Sequence, residues 1–299
     1  MPLRPLRSHE RFRYRAIHNR PQYEWPGGKR LALYIGFNVE HFEFGSGRGA
    51  RLCPSSEPDV LNHSWREYGN RVGAWRCLEL FDTLGLPTGA ILNTSLYEHS
   101  PELLAALRER GDEFIAHGHT NADSQHDFER ETERELIADC HARMSAAGTP
   151  PRGWLSPWIA ESHHTPDLLA QQGFAYTLNW CHDDQPMPMR TAHGTLWSVP
   201  YPQEINDIPM IVGRQMDMPD FCRMIEDQFE EMLRQSATQP LVMGIALHPY
   251  LVGQPHRLKH LRQTLTRLAY QGEAWWSTPG RILDHLLALP ESRELEAQA

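Results

Sequence analysis

The sequence predicts one α/β domain built on a parallel sheet that curls toward a barrel. Three observations carry this expectation. Short apolar runs alternate with helix-spaced amphipathic segments along the whole chain, the order of successive βα units. There are about seven such runs, enough to close a barrel. Nearly every run ends abruptly in carboxylate, amide or imidazole residues, and in such folds those ends meet at one face.

Composition narrows the class. The 299 residues are 40% hydrophobic and 22% charged, as in an ordinary globular protein. The net charge of −9 speaks against nucleic acid or an anionic membrane as partner. No run approaches the roughly 18 apolar residues of a membrane span. The opening MPLRPLRSHERFRYR lacks the apolar core of a secretory signal, so the cytoplasm is the expected compartment. Cys53, Cys77, Cys140, Cys181 and Cys222 are scattered without CxxC spacing, which disfavours a disulfide framework or a cysteine-rich zinc site. The 17 histidines are many for this length and place several in polar sites.

Residues 1–30, basic, aromatic and broken by Pro21, Pro26, Gly27 and Gly28, read as an arm over the domain or toward a neighbouring subunit. LALYIGFNVEHF (31–42) is nearly all apolar at first, the pattern of a strand buried on both faces, and ends in Asn38, Glu40 and His41. The Gly-, Ser- and Pro-rich stretch 45–58 reads as a functional loop or lid. A helix is expected over 65–84, stopped by Gly85, then a strand at 90–92 ending in Asn93-Thr94-Ser95. A helix at 101–110 stops at Gly111, and a strand at 113–116 ends in His117-Gly118-His119-Thr120-Asn121. A charged helix spans 127–147. Strands follow near 153–155, ending at Ser156, and at 174–178, ending in Asn179 through Gln185, with a helix at 165–172 between them. The strand at 196–199 leads to Pro200-Tyr201 and Glu204-Ile205-Asn206-Asp207. After a helix at 220–234, the strand 241–247 ends in His248-Pro249-Tyr250, and helices at 257–270 and 279–289 finish the fold. The tail 291–299 reads as solvated. No repeat or linker divides the chain, so the division is an arm at 1–30, a barrel domain at 31–290 and a tail.

Collected at one end of the sheet, the polar residues are Glu40, His41, His117, His119, Asn121, Ser156, Asp183, Asp184, Glu204, Asn206, Asp207 and His248. Carboxylate and imidazole together supply a base for water, an acid for a leaving group, or metal ligands. Plainer readings stand beside this one. His117 before Gly118 also reads as a strand cap, and Glu204 to Asp207 or Asp183-Asp184 as polar turns. Trp180 beside a polar strand end suits stacking on a flat substrate. No HExxH, GxSxG, P-loop or GxGxxG motif is present.

The ordered set of short motifs resembles the NodB-homology polysaccharide deacetylase family, and within it the subgroup of metal-independent allantoinases. The stretches are Asn38 to Phe42, His117 to Asn121, Trp154 to Pro157, Asp183 to Pro186, Pro200-Tyr201, Glu204 to Asp207, and His248 to Leu251 with Gly253-Gln254-Pro255 and Arg257. The resemblance implies a distorted (β/α) barrel and hydrolysis of a non-peptide C–N bond in an amide, acetamido group or cyclic ureide such as allantoin. The sequence also departs from the family. Metal-dependent members end the first strand in two Asp, where this chain has Glu40 and His41. Their second motif carries two His four residues apart, where this chain has His119 and Asp123. No cofactor is therefore expected; the alternative is zinc or another divalent metal on His41, His119 and Asp123. Under the metal-free reading Glu40 is the base, His41 or His117 orients it or the water, and His248 is the acid. Asn121, Ser156, Trp180, Asp183, Glu204, Asn206 and Arg257 are the expected substrate contacts. The partner is a small molecule, and the family and the aromatic arm point to a homo-oligomer. Two competing functions remain at this stage: a metal-dependent deacetylase of glycans or N-acetyl sugars, and a non-catalytic metabolite-binding barrel.

Overall fold

The computed structural model describes residues 8–297. Its first strand, β1 (Leu31–Val39), is buried along its full length. Leu31, Leu33, Ile35, Phe37 and Val39 join the apolar layer shared with the surrounding helices. Ala32 and Tyr34 join a second apolar cluster on the opposite face. Alternation of side chains across a strand makes this division, and two apolar faces explain why no polar residue appears before Asn38.

Eight further strands follow: β2 (Thr88–Leu92), β3 (Glu113–Ala116), β4 (Gly153–Trp154), β5 (Tyr176–Thr177), β6 (Met187–Thr191), β7 (Gly194–Ser198), β8 (Leu241–Leu247) and β9 (Trp275–Ser277). They form one sheet in the order β6-β7-β5-β4-β3-β2-β1-β8, with β9 also paired to β1. All pairings are parallel except the β6–β7 hairpin. The curl is completed by irregular chain instead of a strand pair. Val242 N donates to Asp184 O (2.8 Å) and Ala246 N to Ile205 O (3.0 Å), which ties β8 to the segments that follow β5 and β7. The barrel is distorted for that reason.

Among the described residues nine strands stand where about seven are expected. The two additions are β6, whose Pro188 disguises it as a turn and fits its place at the sheet edge, and the three-residue β9. The helix expected over 65–84 is instead Val60–Tyr68 and Ala74–Leu84, joined by a π-helical turn at Gly69–Gly73. That turn lies against the chain after β8. A Cβ on Gly69 would sit 2.8 Å from Tyr250 N, and one on Gly73 2.2 Å from Pro249 O, so only glycine permits the approach. Asn70, within the turn, donates from Nδ2 to Glu40 O at 2.8 Å.

The described part of the arm covers the start of β8: Trp25 is buried, with Nε1 donating to Leu241 O at 3.0 Å. Arg11 forks onto Asp167 at 2.7 and 2.9 Å. The tail differs from its solvated reading, since Glu291–Glu296 is helical and Leu295 is buried. Loop 45–58 carries only turns and bends; Arg48 N bonds Ala122 O at 2.8 Å, and Ala50 O accepts from Arg66 at 2.7 Å. Among the described residues no helix is long and apolar enough to cross a membrane.

Candidate active site

The alternation that divides β1 also aims its last residues. Continuing from Ala32 and Tyr34, the inner-face positions are Gly36, Asn38 and Glu40. In β3 the inner residue is Ile115, and the next inner position is His117. In β8 the inner residues are Val242 and Ala246, and His248 follows. Glu40, His117 and His248 thus enter one cavity of about 220 Å³, which Asn38, Asn121, Tyr201, Asn206 and Tyr250 also line. Trp158 stands at its edge with Nε1 donating to Asn121 O at 3.0 Å. Trp158 and Ile159 both hold positive φ, 61° and 54°, an unfavourable backbone that recurs at functional sites.

The Glu40 carboxylate is buried. Oε1 accepts from Asn121 Nδ2 (2.7 Å) and Oε2 from the Tyr250 hydroxyl (2.8 Å). Two imidazoles converge on Oε1, His117 Nε2 at 3.6 Å and His248 Nε2 at 3.5 Å. His117 Nδ1 donates to Leu155 O at 2.6 Å, so in the neutral ring Nε2 offers a lone pair to the cavity. That Nε2 and Asn121 Oδ1 are buried with no hydrogen-bond partner among the described residues. Such groups are costly alone, and they mark where a water or substrate atom belongs. Asp207 holds His248 from behind, accepting from Nδ1 at 2.6 Å and from its backbone N at 2.8 Å. The arrangement leaves Nε2–H facing Glu40 and the cavity.

Charge is sorted accordingly. Burial pushes the Glu40 carboxyl up, but the positive charge of His248 and the approach of both imidazoles outweigh it and hold the group at about 2. Burial pulls His248 down, but Asp207 and Glu40 outweigh that and lift it to about 10. At neutral pH the pair is carboxylate and imidazolium. Linkage gives the sign of its contribution to stability. The His248 contribution is complete below its ordinary 6.5 and is lost as pH rises through about 10. The Glu40 contribution is complete above 4.5 and is lost as pH falls toward about 2. The stability gap between wild type and His248→Gln, from calorimetric melting, should therefore narrow from pH 6.5 to pH 10. A gap constant over that interval would contradict the assignment.

Other expected contacts lie elsewhere. His41 follows an outer-face position of β1 and bonds Ser95 Oγ at 2.9 Å through Nδ1, outside the cavity. Ser156 is buried, accepting from Trp154 Nε1 (3.0 Å) and Asn179 Nδ2 (2.9 Å), so it ties strand ends together. Trp180 donates to Glu161 at 2.7 Å and faces a separate cavity with Arg11 and His163; burial lifts the Glu161 carboxyl to about 7. Asp183 pairs with Arg20 of the arm at 2.5 Å, and exposed Glu204 lies 3.7 Å from Arg214. Arg257 is half-buried near Asp207 but does not line the cavity. Tyr250, Tyr201, Asn38 and Trp158 are not among the expected contacts, and Asp207, gathered with the polar strand ends, has no assigned role there. The period-two pattern running into Asn38 could have flagged one of them.

The metal position implied by the resemblance does not form. His119 turns away after Gly118, whose φ of 66° breaks the strand, and is exposed with Nδ1 on Thr94 Oγ1 at 3.0 Å. His119 and Asp123 line a different cavity beside Thr94 and Cys140. Among the described residues the trio His41, His119 and Asp123 is not a group whose ligand atoms converge. Both Glu40 oxygens already hold hydrogen bonds from Asn121 and Tyr250.

No protein-family model matches the chain. A Schizosaccharomyces pombe protein named as a polysaccharide deacetylase is 27% identical over 279 residues, covering 86% of this chain and 85% of its own length. A Helicobacter pylori peptidoglycan deacetylase is 27% identical over 253 residues, covering 74% and 85%. Among solved structures, a Pseudomonas aeruginosa protein described as a polysaccharide deacetylase superposes with a TM-score of 0.82 at 24% identity, covering 93% of this chain and 99% of its own. The fold is that of the polysaccharide deacetylases. A second solved structure, PuuE allantoinase, superposes with a TM-score of 0.83 at 25% identity, covering 93% of this chain and 98% of its own.

Proposed function

We propose that the chain hydrolyses a non-peptide C–N bond in a small cyclic ureide or amide, with Glu40 as base and His248 as acid. The supporting observation is the approach of His248 Nε2 to Glu40 Oε1 at 3.5 Å, with Asp207 2.6 Å behind the ring, inside one small cavity. At about 220 Å³ the cavity falls below the roughly 300–1,000 Å³ of ordinary ligand pockets, which suits a compact ring and not several sugar units.

In this reading a water sits where Glu40 Oε1 and His117 Nε2 both accept its hydrogens. As its oxygen bonds the substrate carbonyl carbon, Glu40 takes a proton. His248 then gives its Nε2 proton to the departing nitrogen as the C–N bond breaks, leaving a carboxylic acid and a free N–H. The proton on Glu40 returns to His248, 3.5 Å away, and restores the starting state. Asn206 and the unpartnered Asn121 Oδ1 offer the paired amide and carbonyl groups that a ureide presents in complement. A homo-oligomer and a cytoplasmic setting belong to the same proposal.

A second reading, N-deacetylation of an acetylated sugar, is favoured by the names of the two sequence relatives. A panel of allantoin, cyclic imides and N-acetylated sugars, assayed with and without chelator, separates the readings. The expected result is turnover of a cyclic substrate that survives chelation. Turnover confined to acetylated sugars and abolished by chelator would replace the first reading with the second. No turnover of any compound would favour a non-catalytic barrel.

A further inference from the structure

On the outer face of β1, beyond the cavity, three separate segments bring a second polar cluster together. His41 follows β1, His99 ends the short helix Leu96–His99, and Glu67 lies on the helix Val60–Tyr68. The His41 and His99 rings stack with centroids 3.9 Å apart and planes 21° from parallel. His99 Nε2 lies 3.1 and 3.2 Å from the two Glu67 oxygens. His63, one helical turn before Glu67, shares its face of the helix. Its Nδ1 is buried with no hydrogen-bond partner among the described residues. None of these side chains lines the cavity that holds Glu40.

We propose that His41, Glu67 and His99 form a binding site for a zinc-like divalent transition metal, with His63 on the same helix face as Glu67. One ligand atom from each of the three lies within 4.8 Å of the others. Tetrahedral zinc, with bonds of about 2.0–2.2 Å, holds its ligand atoms roughly 3.3–3.6 Å apart. Because an imidazole lone pair lies in its ring plane, binding requires the His41 and His99 rings to turn out of their stacked arrangement. Two or three imidazoles with one carboxylate are a donor set that zinc accepts and that calcium and magnesium do not favour. Ser95 Oγ, 2.9 Å from His41 Nδ1, is the outer partner that fixes the ring of a metal-binding histidine and leaves Nε2 free to ligate. Arg71 Nε, 3.3 Å from Glu67 Oε2, is the competing cation, and it is exposed and free to move away.

This inference stands apart from the proposed reaction, because zinc uptake is read directly and not through turnover. Protein stripped with chelator and dialysed is titrated with zinc chloride by calorimetry. Bound zinc is counted by elemental analysis, and cobalt is substituted to read its visible absorption. The expected result is one zinc per chain, with affinity at least about tenfold weaker in His99→Ala and in Glu67→Gln. His119→Ala and Asp123→Asn should bind as the wild type does. Circular dichroism of each variant establishes that it is folded, and His99 and Glu67 lie near enough to the surface for truncation to be tolerated. Failure of the wild type to bind zinc stoichiometrically overturns the site. So does binding unchanged in both His99→Ala and Glu67→Gln, or binding lost only in His119→Ala and Asp123→Asn.

Discussion

Glu40→Gln should yield a folded protein whose turnover is lower by roughly 10³-fold, within the range that general-base catalysis supplies. The substitution keeps size and shape and removes only the charge and the ability to take a proton. The new amide has partners: its oxygen can take the place of Oε1 and accept from Asn121 Nδ2, and its NH₂ can donate to the Tyr250 hydroxyl oxygen. The carboxylate that pairs with His248 is nevertheless lost, so the variant should be less stable at neutral pH, though less so than Asp207→Asn because the imidazolium keeps Asp207, while kcat collapses. One of the two carboxylates that lift His248 also disappears, so that imidazolium should lose its proton at a lower pH. Steady-state kinetics and thermal melting on the same preparation decide the matter. A kcat within tenfold of wild type would remove Glu40 from the chemistry.

Asp207→Asn should damage both activity and stability. Asp207 is fully buried and accepts two hydrogen bonds from His248, one from the ring and one from the backbone. An Asn oxygen can satisfy one of these, but the NH₂ then faces the other donor. Removing one partner of a buried ion pair costs about 3–5 kcal/mol, because the remaining charge loses its compensation. The imidazole also loses the largest influence raising its pKa, so at neutral pH less of it carries the proton owed to the leaving nitrogen. We expect kcat to fall by about 10²–10⁴-fold and the alkaline limb of the pH–rate profile to move to lower pH. A purely structural role would lower the melting temperature and leave that limb in place. An unmoved limb in a folded variant would therefore count against a proton-donating His248.

The sequence read well where local pattern decides the outcome, and poorly where distant segments do. Alternating strand and helix signals located the parallel strands β1, β2, β3, β4, β5, β7 and β8 and most helices, because burial on both faces leaves an unbroken apolar run. Strand β6 was hidden by Pro188. The π-helical turn was hidden because Gly69 and Gly73 answer to Pro249 and Tyr250, far along the chain. The rule that polar strand ends meet gathered Glu40, His117 and His248 correctly, yet it says which end of a strand matters and not which face. Glu40 and His41 are neighbours in sequence and lie on opposite sides of the sheet. Asp183 looked like a substrate contact because its partner, Arg20, is 163 residues away with no pattern linking them. Tyr250 was overlooked because it follows Pro249 into a helical turn, after the strand that was used to place His248.

The two-residue rhythm of β1 makes the reactive centre sensitive to chain length in a way that side-chain replacement is not. Dropping or adding one residue between Gly36 and Glu40 would exchange inside for outside, turning the imidazole of His41 inward and the carboxylate of Glu40 toward the helical layer. Asn70 and Asn93, which grip the main chain at Glu40 O and His41 N, oppose such slippage from outside the strand. Evolution of this scaffold toward new substrates should thus proceed by exchanging residues at a fixed count, with length variation left to the loops.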